Sequence, residues 1–349
     1  MEYLKSFSSH TDYEDYASGG TMVKPNVSYC EDVKDVHYNP YIDYSKEYFT
    51  TIALEEGTFT FSSYTSSNIL SYSLDDGTTW IELPNKTATP TIAKGDKVLW
   101  KGECVPRSGG TVAIFGIGVF TSTCQFDTQG NVMSLLFKDE FETQKSLYGK
   151  EYAFYELFVN TRVVNAKNLI LPTTLVNSCY DSMFKGCTSL TTAPELLATT
   201  LANGCYMYMF RGCTSLTVAP ELPATTLANY CYKGMFNGCT SLTTALELPA
   251  TTLATGCYSS MFGGCTSLTT APELPATTLA DSCYNYMFQG CTNLNYIKAM
   301  FTTTPSATYT SNWVNGVASS GTFVKNSAAS WDVSGVNGIP SGWAVQDAA

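Results

Sequence analysis

The stretch Cys231-Tyr-Lys-Gly-Met-Phe-Asn-Gly-Cys239 decides how this chain folds, because the pattern Cys-Tyr-x-x-Met-Phe-x-Gly-Cys occurs five times. The copies, called repeats 1 to 5 below, each start 26 residues after the last, at Cys179, Cys205, Cys231, Cys257 and Cys283. A fixed period of about 20–30 residues with apolar letters at constant phases is typical of units that bury their hydrophobic side by stacking. The pattern therefore predicts a solenoid, and stacked repeats usually provide binding surfaces.

Each repeat combines an apolar turn-rich part with a proline-punctuated part. Pro220 and Pro223 interrupt one such stretch and argue against a long central strand, so a short strand and an extended turn are expected. Cys231, Met235 and Cys239 fall at i, i+4 and i+8, which places them on one side of a predicted short helix. The sequence thus predicts one short strand and one short helix per repeat.

The ten repeat cysteines allow three interpretations. Neighbouring strands lie roughly 4.8 Å apart, a distance that disulfides tolerate, so some disulfides stay an alternative. Both cysteine columns sit at apolar phases beside Met and Phe, where a free thiol behaves as a small hydrophobe. Metal binding is disfavoured because the two histidines, His10 and His37, are far from the repeats. We therefore predict buried thiols, with no metal and no cofactor.

The region before the repeats has a different pattern. Short runs rich in Thr, Phe, Tyr, Val and Ile are separated by turn residues, which predicts an all-β sandwich. The segment Ser73–Trp80 resembles the Asp-box of sialidase propellers, and we interpret it as a hairpin device without catalytic function. The predicted strands are Gly57–Tyr64, Ile69–Leu74, Thr79–Leu83, Lys97–Gly102, Thr111–Phe120 and, after the repeats, Gly321–Asn326.

Two resemblances suggest where such a chain acts. The phrase Cys-Thr-Ser-Leu-Thr, a proline-punctuated strand and Tyr-x-x-Met-Phe-x-Gly-Cys resemble the BspA-like leucine-rich repeats of bacterial surface proteins and of phages of gut bacteria. This resemblance covers about Asn165 to Ile297 and implies adhesion or recognition. The leader, with YLKSFSSHTDYEDY and PNVSYCEDVKDVHYNP, resembles the start of structural proteins of tailed phages of gut Bacteroidetes, the crAss-like group among them.

Together these observations predict an α+β, multi-domain chain. Residues 1–42 form a leader or attachment arm, residues 43–160 a β-sandwich, residues 161–300 a leucine-rich-repeat solenoid and residues 301–349 a C-terminal cap. The amino terminus shows no secretory signal pattern, which fits a virion protein assembled in the host cytoplasm better than a bacterial cell-surface protein.

Charge and motif content restrict the function classes. A net charge of −11 and a pI near 4.6 oppose nucleic-acid binding, which needs clustered Lys and Arg. The absence of any apolar run of about 18 residues argues against membrane insertion. Neither a catalytic triad, nor a coherent carboxylate pair, nor a phosphate loop is recognisable, so we predict that the chain is not an enzyme.

The letters that vary inside the constant repeat are the candidate ligand-binding positions. They follow Cys-Tyr or precede the conserved glycine, and neutral drift of exposed sites is the alternative explanation. A glutamate column is expected to face solvent or to bind cations. The candidate ligand-binding residues are Asp181, Tyr208, Arg211, Lys233, Tyr286 and Gln289, and the column is Glu195, Glu221, Glu247 and Glu273.

The sequence therefore predicts a non-enzymatic, virion-associated recognition or adhesion protein. Its N-terminal region would contact other virion proteins, and its solenoid would face a host cell-surface glycan or protein. A purely structural particle component and a bacterial surface adhesin whose secretion signal is missing are the alternatives. Assembly into a homo-oligomer is left open.

Overall fold

The structure, a computed structural model, describes residues 42–65, 67–108 and 115–348. Contacts divide the chain after Asp43 and make residues 44–349 one compact unit. The predicted leader lies outside the described residues except for Ile42, and so do His10, His37 and part of the predicted strand Thr111–Phe120.

The described residues contain mostly strands and few helices, in line with the expected α+β class. The helices are single turns or little more: α1 (Ser134–Phe137), α2 (Ala307–Thr310) and the 3₁₀ segments Tyr44–Lys46 and Lys138–Thr143. The strands are β1 (Phe49–Ala53), β2 (Phe59–Ser63), β3 (Leu70–Ser73), β4 (Ile81–Leu83), β5 (Lys97–Gly102), β6 (Arg107–Ser108), β7 (Phe115–Gly116), β8 (Gly118–Ser122), β9 (Phe126–Asn131), β10 (Val163–Ile170), β11 (Tyr296–Ala299), β12 (Thr322–Lys325) and β13 (Ala344–Asp347).

The N-terminal strands form a six-stranded sheet of order β10-β9-β1-β5-β3-β4 and a separate β2–β8 pair. Alternate residues of β2 are buried, so Phe59 and Phe61 share one face. The Phe59 ring centroid lies 6.2 Å from that of Trp100 in β5 and 5.2 Å from that of Phe126 in β9. Aromatic contacts between the two sheets thus build the core here, and the strands predicted at β2, β3, β4, β5 and β12 are confirmed.

The Asp-box segment forms the β3–β4 hairpin, as predicted. The Asp75 carboxylate accepts hydrogen bonds from the Thr79 amide at 2.8 Å and from the Thr79 and Ser73 hydroxyls, and these bonds lower the pKa of Asp75 to about 2. Gly77 has a φ of 86°, which a glycine adopts without steric cost. The motif is a turn device held by its own side chains.

Strand β10 connects the N-terminal sheet to the repeats. One edge of β10 pairs in parallel with β9, and its other edge bridges to repeat 1 through Asn165 and Thr192. The Ala166 amide donates to the Thr192 carbonyl at 2.9 Å, and the Thr191 amide donates to the Val164 carbonyl at 2.8 Å. Hydrogen bonding is therefore continuous from the sheet into the first repeat.

The cysteine motifs lie side by side and are joined by a regular hydrogen-bond ladder. Amides of alternate residues donate to the next repeat: Tyr180 to the Cys205 carbonyl at 2.9 Å and Phe184 to the Met209 carbonyl at 2.9 Å. The intervening amides donate three residues back within the same repeat, as from Met183 to the Tyr180 carbonyl at 3.2 Å. Each motif is therefore a chain of overlapping turns whose polar groups are shared with its neighbours.

The predicted short helix is wrong. An α-helix needs every amide to bond four residues back, whereas half of these amides bond the adjacent repeat. In addition, every fourth residue has a positive φ, as at Ser178, Ser182 and Gly186 with 52°, 58° and 74°. Because this turn chain also repeats every four residues, Cys231 and Met235 still share the buried side, as the helical spacing predicted.

The ladder crosses both predicted domain boundaries. Upstream, the Phe154 amide donates to the Cys179 carbonyl at 2.8 Å and the Phe158 amide to the Met183 carbonyl at 2.9 Å. Downstream, the Phe288 amide donates to the Trp313 carbonyl at 2.8 Å. The hydrogen-bond pattern of the five repeats therefore continues into residues before position 160 and after position 300.

Aromatic columns fill the ladder. The repeat tyrosines and phenylalanines stack with ring centroids 5.2–6.1 Å apart from one repeat to the next. Each fully buried Leu, Met or Phe contributes about 1.5–3 kcal/mol. These columns and the N-terminal aromatic residues belong to one continuous cluster that runs from Phe49 to Trp343.

Three tryptophans close the C-terminal end of the ladder. Each indole N–H donates to a backbone carbonyl of a preceding or following segment: Trp313 to Gly338 at 2.8 Å, Trp331 to Phe301 at 3.1 Å and Trp343 to Ala318 at 2.8 Å. A terminal repeat must satisfy polar groups that no further repeat covers. These bonds therefore satisfy carbonyl groups in this region, and the C-terminal cap expected after the repeats stays a prediction.

Candidate functional site

The variable letters of the repeats lie in columns along one edge of the ladder. Since each repeat adds 26 residues, the column of Tyr208 also contains Glu156, Ser182, Gly234, Ser260 and Tyr286. The column of Tyr230 contains Tyr152, Ser178, Gly204, Gly256 and Ser282. Both columns have positive φ values, as does the glycine column that contains Gly186 and Gly212, and Lys233 and Arg211 lie in columns next to them.

Two tyrosine rings each place one edge against the following repeat. A Cβ atom placed on Gly234 would overlap the ring of Tyr208, and one placed on Gly256 would overlap the ring of Tyr230. Each ring therefore occupies space that only a glycine leaves free. Tyr230 remains 42% exposed, so its ring is held at one edge and is still accessible to a ligand.

Two cations sit on these rings. The Arg211 guanidinium carbon is 5.4 Å from the Tyr208 ring centroid, and the Lys233 ammonium is 5.9 Å from Tyr208 and 5.5 Å from Tyr230. Such cation–π contacts are worth about 0.5–1 kcal/mol at exposed sites. We call Tyr208, Arg211, Tyr230 and Lys233 the cation–tyrosine patch.

The patch tyrosines hold an unfavourable backbone conformation. Tyr208 and Tyr230 have φ values of 54° and 58°, whereas Gly204 and Gly234 occupy the equivalent positions of neighbouring repeats. A non-glycine residue in this left-handed region costs roughly 1–2 kcal/mol. The ladder supplies enough stability elsewhere to keep the rings in this place, and such strain is frequent at functional sites.

The structure brings only some of the predicted binding residues together. Tyr208, Arg211 and Lys233 form the patch, whereas Tyr286 and Gln289 are exposed three repeats further along. Asp181 is a correction: it is 4% exposed, so its carboxylate is buried and not available to a ligand. Neighbouring atoms cover the Asp181 side chain, and an alignment of the repeats cannot show this burial.

Asp181 belongs to a buried polar cluster at the start of the ladder. Burial raises its pKa to about 7, and the nearby Glu156 carboxylate raises it as well. A hydrogen bond from the Ser182 hydroxyl at 2.8 Å and the positive charges of Lys185 and Lys233 act in the opposite direction. The carboxyl group is thus poised to change its charge near neutral pH.

Two aromatic residues of this edge escaped the sequence analysis. Tyr230 precedes its cysteine and was not among the candidates, although Gly or Ser stands there in the other four repeats. Tyr155 lies 26 residues before Asp181 in a segment assigned to the sandwich, and it contacts Phe115 at 5.7 Å between ring centroids. Extending the 26-residue alignment by one unit towards the N-terminus would have identified Tyr155.

The cysteines are core residues. All twelve described cysteines are buried, as their apolar phase predicted, and they are free thiols. Burial raises the pKa of Cys187 and Cys239 to about 12. These thiols are therefore protonated at neutral pH and give the ladder neither nucleophiles nor thiolate ligands.

A concave surface lies along the proline-punctuated edge. A groove of about 690 Å³ runs past Leu246, Glu247 and Glu273, where Leu246 replaces the proline of neighbouring repeats. The four glutamates of the predicted column are exposed, in agreement with their expected position in solvent, and Glu273 pairs with Lys298 at 3.0 Å. This groove is acidic and carries no aromatic ring.

Comparison of the chain with known proteins finds no match to a protein family, to a curated protein or to a solved structure. Within the described residues, no helix is both long enough and apolar enough to cross a membrane. The geometry of the patch is therefore the basis on which a function is assigned below.

Proposed function

We propose that this chain is a non-enzymatic recognition or adhesion protein that presents the cation–tyrosine patch to a ligand on a host surface. The observation that carries the proposal is the placement of Arg211 and Lys233 against two supported tyrosine rings. Aromatic residues and arginine are enriched at the energetic centres of interfaces. A rigid frame that holds them in place lowers the entropy that binding removes.

We also propose that the repeat ladder is a leucine-rich-repeat-type solenoid of the BspA-like kind, and that the β2–β8 pair and the six-stranded sheet form a sandwich. The hydrogen bonds between repeats and the aromatic contacts between sheets support both assignments. In this scheme the interior columns provide rigidity, and the outward columns are free to differ from repeat to repeat.

The setting proposed for this function is a phage virion, in which the N-terminal region contacts other particle proteins. The support is the resemblance of the leader to structural proteins of tailed phages. Mass spectrometry of purified particles tests it: the full chain is expected in the particle, and a chain that lacks residues 1–42 is expected to be lost from it. Incorporation of the shortened chain at the normal level would contradict the proposal.

Binding to whole cells tests the recognition function. The fluorescently labelled full chain is titrated onto a panel of gut Bacteroidetes strains, together with a variant that carries Tyr208→Ser, Arg211→Asn and Lys233→Ser. Each replacement is the residue that another repeat has in that column, so the ladder is expected to fold with an unchanged melting temperature. We expect cell binding by the natural chain and a loss of at least tenfold in the variant.

The matched control is Tyr286→Ser, which makes the same change in the same column three repeats away. If the triple variant binds cells as well as the natural chain, or if the natural chain binds no strain, the recognition function is rejected. A purely structural particle component is then the better proposal.

A further inference from the structure

Resting on the proposed recognition function, we propose that the cation–tyrosine patch binds a carboxylate-bearing saccharide, such as a chain of hexuronic acids. Tyr208 and Tyr230 would stack on the apolar faces of the sugar rings, and Arg211 and Lys233 would bind the carboxylate. The proposal therefore names the chemical class of ligand that the edge of the ladder would take.

The positive charge of the patch favours an anionic ligand. The protein has a net charge of −11, and several of its described cations are neutralised by carboxylates, as in Lys185–Glu156 at 3.8 Å and Lys298–Glu273 at 3.0 Å. In the described part of the chain, neither Arg211 nor Lys233 has an ion pair, and both lie over tyrosine rings instead. Two positive charges thus stay available for an anion on an otherwise acidic protein.

The two tyrosine rings are held in place by the following repeat. Because Gly234 and Gly256 have no side chain, the Cδ1–Cε1 edges of the Tyr208 and Tyr230 rings pack against these glycines. A flat aromatic surface suits the C–H face of a pyranose ring, whereas an apolar peptide side chain is held best in a pocket that surrounds it.

The two positive charges lie close to the tyrosine rings. The Lys233 ammonium lies between the two rings, at 5.9 and 5.5 Å from their centroids, and Arg211 flanks Tyr208. A ligand that covers either ring therefore places its substituents beside a cation. Arginine can bind a carboxylate with two parallel hydrogen bonds, which favours a carboxylate over a neutral hydroxyl group.

Few positive charges are available for a polyphosphate. Nucleic-acid binding relies on many lysines and arginines that neutralise successive phosphates. The patch offers two such residues, and the carboxyl group of Asp181 interacts electrostatically with one of them, Lys233. A ligand with one carboxylate per sugar unit matches this limited charge better than a phosphate chain.

The experiment is a calorimetric titration of the full chain with defined oligosaccharides. The probes are tetramers of galacturonic acid and of glucuronic acid, neutral tetramers of galactose and of glucose, and a tetraglutamate peptide. We expect at least one acidic tetramer to bind at least tenfold more tightly than its neutral counterpart and than the peptide. Lys233→Ser and Arg211→Asn are each expected to weaken that binding at least fivefold.

Three controls separate ligand contact from loss of structure. Tyr286→Ser should leave binding unchanged, Lys233→Arg should retain most of it, and the melting temperature of every variant should stay within the range of the natural chain. Equal binding of acidic and neutral tetramers, tighter binding of the peptide, absence of binding by all tetramers, or unchanged binding in Lys233→Ser would each overturn the proposal.

The cell-binding experiment distinguishes this failure from failure of the recognition function. If the patch variant loses cell binding while no acidic tetramer competes for that binding, the recognition function stands and the ligand class proposed here is wrong. If cells are not bound at all, the recognition function itself fails.

Discussion

The Sγ atom of Cys213 donates a hydrogen bond to the carbonyl oxygen of Phe184 in the preceding repeat, at 3.1 Å. The second cysteine of every repeat makes the equivalent bond, at 2.9–3.2 Å. Within the described residues, the first cysteine of repeats 1 to 4 donates no such bond to a carbonyl; backbone amides lie near its sulfur instead, as those of Ala202 and Tyr206 do at Cys205. At the upstream end of the ladder, Thr161 replaces the bonding cysteine and Ala153 the other one.

This difference predicts that serine is the more stable replacement at one cysteine of a repeat and alanine at the other. At Cys213, serine retains a donor for the Phe184 carbonyl, so Cys213→Ser should be more stable than Cys213→Ala by about 1 kcal/mol. At Cys205 no carbonyl accepts from the thiol, so serine buries a hydroxyl proton without an acceptor, and Cys205→Ala should be more stable than Cys205→Ser by about 1–2 kcal/mol. Urea unfolding of the four variants measures both differences, and the same order at both sites would contradict the assignment.

Thiol reactivity tests the burial of the cysteine columns. Because burial raises the pKa of Cys179 and Cys187 to about 12, the reactive thiolate is scarce in the folded protein at pH 8. We expect iodoacetamide to leave the twelve described cysteines unmodified in native protein and to modify all of them, without a reductant, in urea. Peptide mass spectrometry measures this, and rapid labelling of a ladder cysteine or the discovery of a disulfide between repeats would contradict it.

Because the Tyr208 ring packs against Gly234, we expect alanine to destabilise the protein more at Gly234 than at Gly204. Gly234 and Gly204 both have a φ of 60°, so replacement by alanine strains the backbone equally, by about 1–2 kcal/mol. A Cβ at Gly204 meets the Ser178 hydroxyl at 3.2 Å, whereas at Gly234 it overlaps the Tyr208 ring. Gly234→Ala should therefore be less stable than Gly204→Ala by roughly 1–3 kcal/mol.

A rescue variant isolates the steric part of that cost. Combining Gly234→Ala with Tyr208→Ser removes the ring and should bring the cost close to that of Gly204→Ala. Denaturant unfolding of the two single variants and the double variant gives the coupling energy. Equal costs for both glycines, or no rescue, would show that the ring does not rest on Gly234.

Asp181 predicts a pH dependence of stability. Its pKa of about 7 in the folded chain exceeds the ordinary value of 3.8, so the folded state holds a proton that the unfolded chain releases. The stability that this proton provides is complete below about pH 4 and is lost as the pH rises towards 7. Asp181→Asn, which cannot ionise, should be about as stable as the natural chain at pH 4.

Above pH 7, Asp181→Asn should be more stable than the natural chain by on the order of 3 kcal/mol, because the charged carboxylate is no longer buried. Thermal melts of both proteins from pH 4 to 8 measure this difference. A constant difference across that range would show that Asp181 does not titrate with a raised pKa.

The amino-acid sequence alone predicts that the repeats stack and which of their residues form the interior. Constant spacing puts Cys231, Met235 and Cys239 on one buried side, because every unit presents the same apolar letters to its neighbours. The helix assumed for these residues does not form, since a spacing of four is shared by a helix and by a chain of overlapping turns. Only the hydrogen bonds to the adjacent repeat distinguish the two.

The sequence alone is a poorer guide to the outward residues than to the interior. Variation alone identified Tyr208, Arg211 and Lys233, but the same criterion included the buried Asp181 and omitted Tyr230. Whether an outward side chain is covered depends on the size of the residue 26 positions further on, as the glycines under Tyr208 and Tyr230 show. The two residues are close in space and distant in sequence, so a variable position considered by itself does not reveal the contact.

The 26-residue period alone determines that this chain stacks its repeats and buries its cysteines, because periodic apolar letters have no other way to leave water together. The tertiary structure decides which amides cross between repeats, which thiols donate hydrogen bonds and which tyrosines keep an accessible face. These outcomes depend on backbone φ values and on the volume left by the neighbouring repeat, and both arise only when the repeats are in contact.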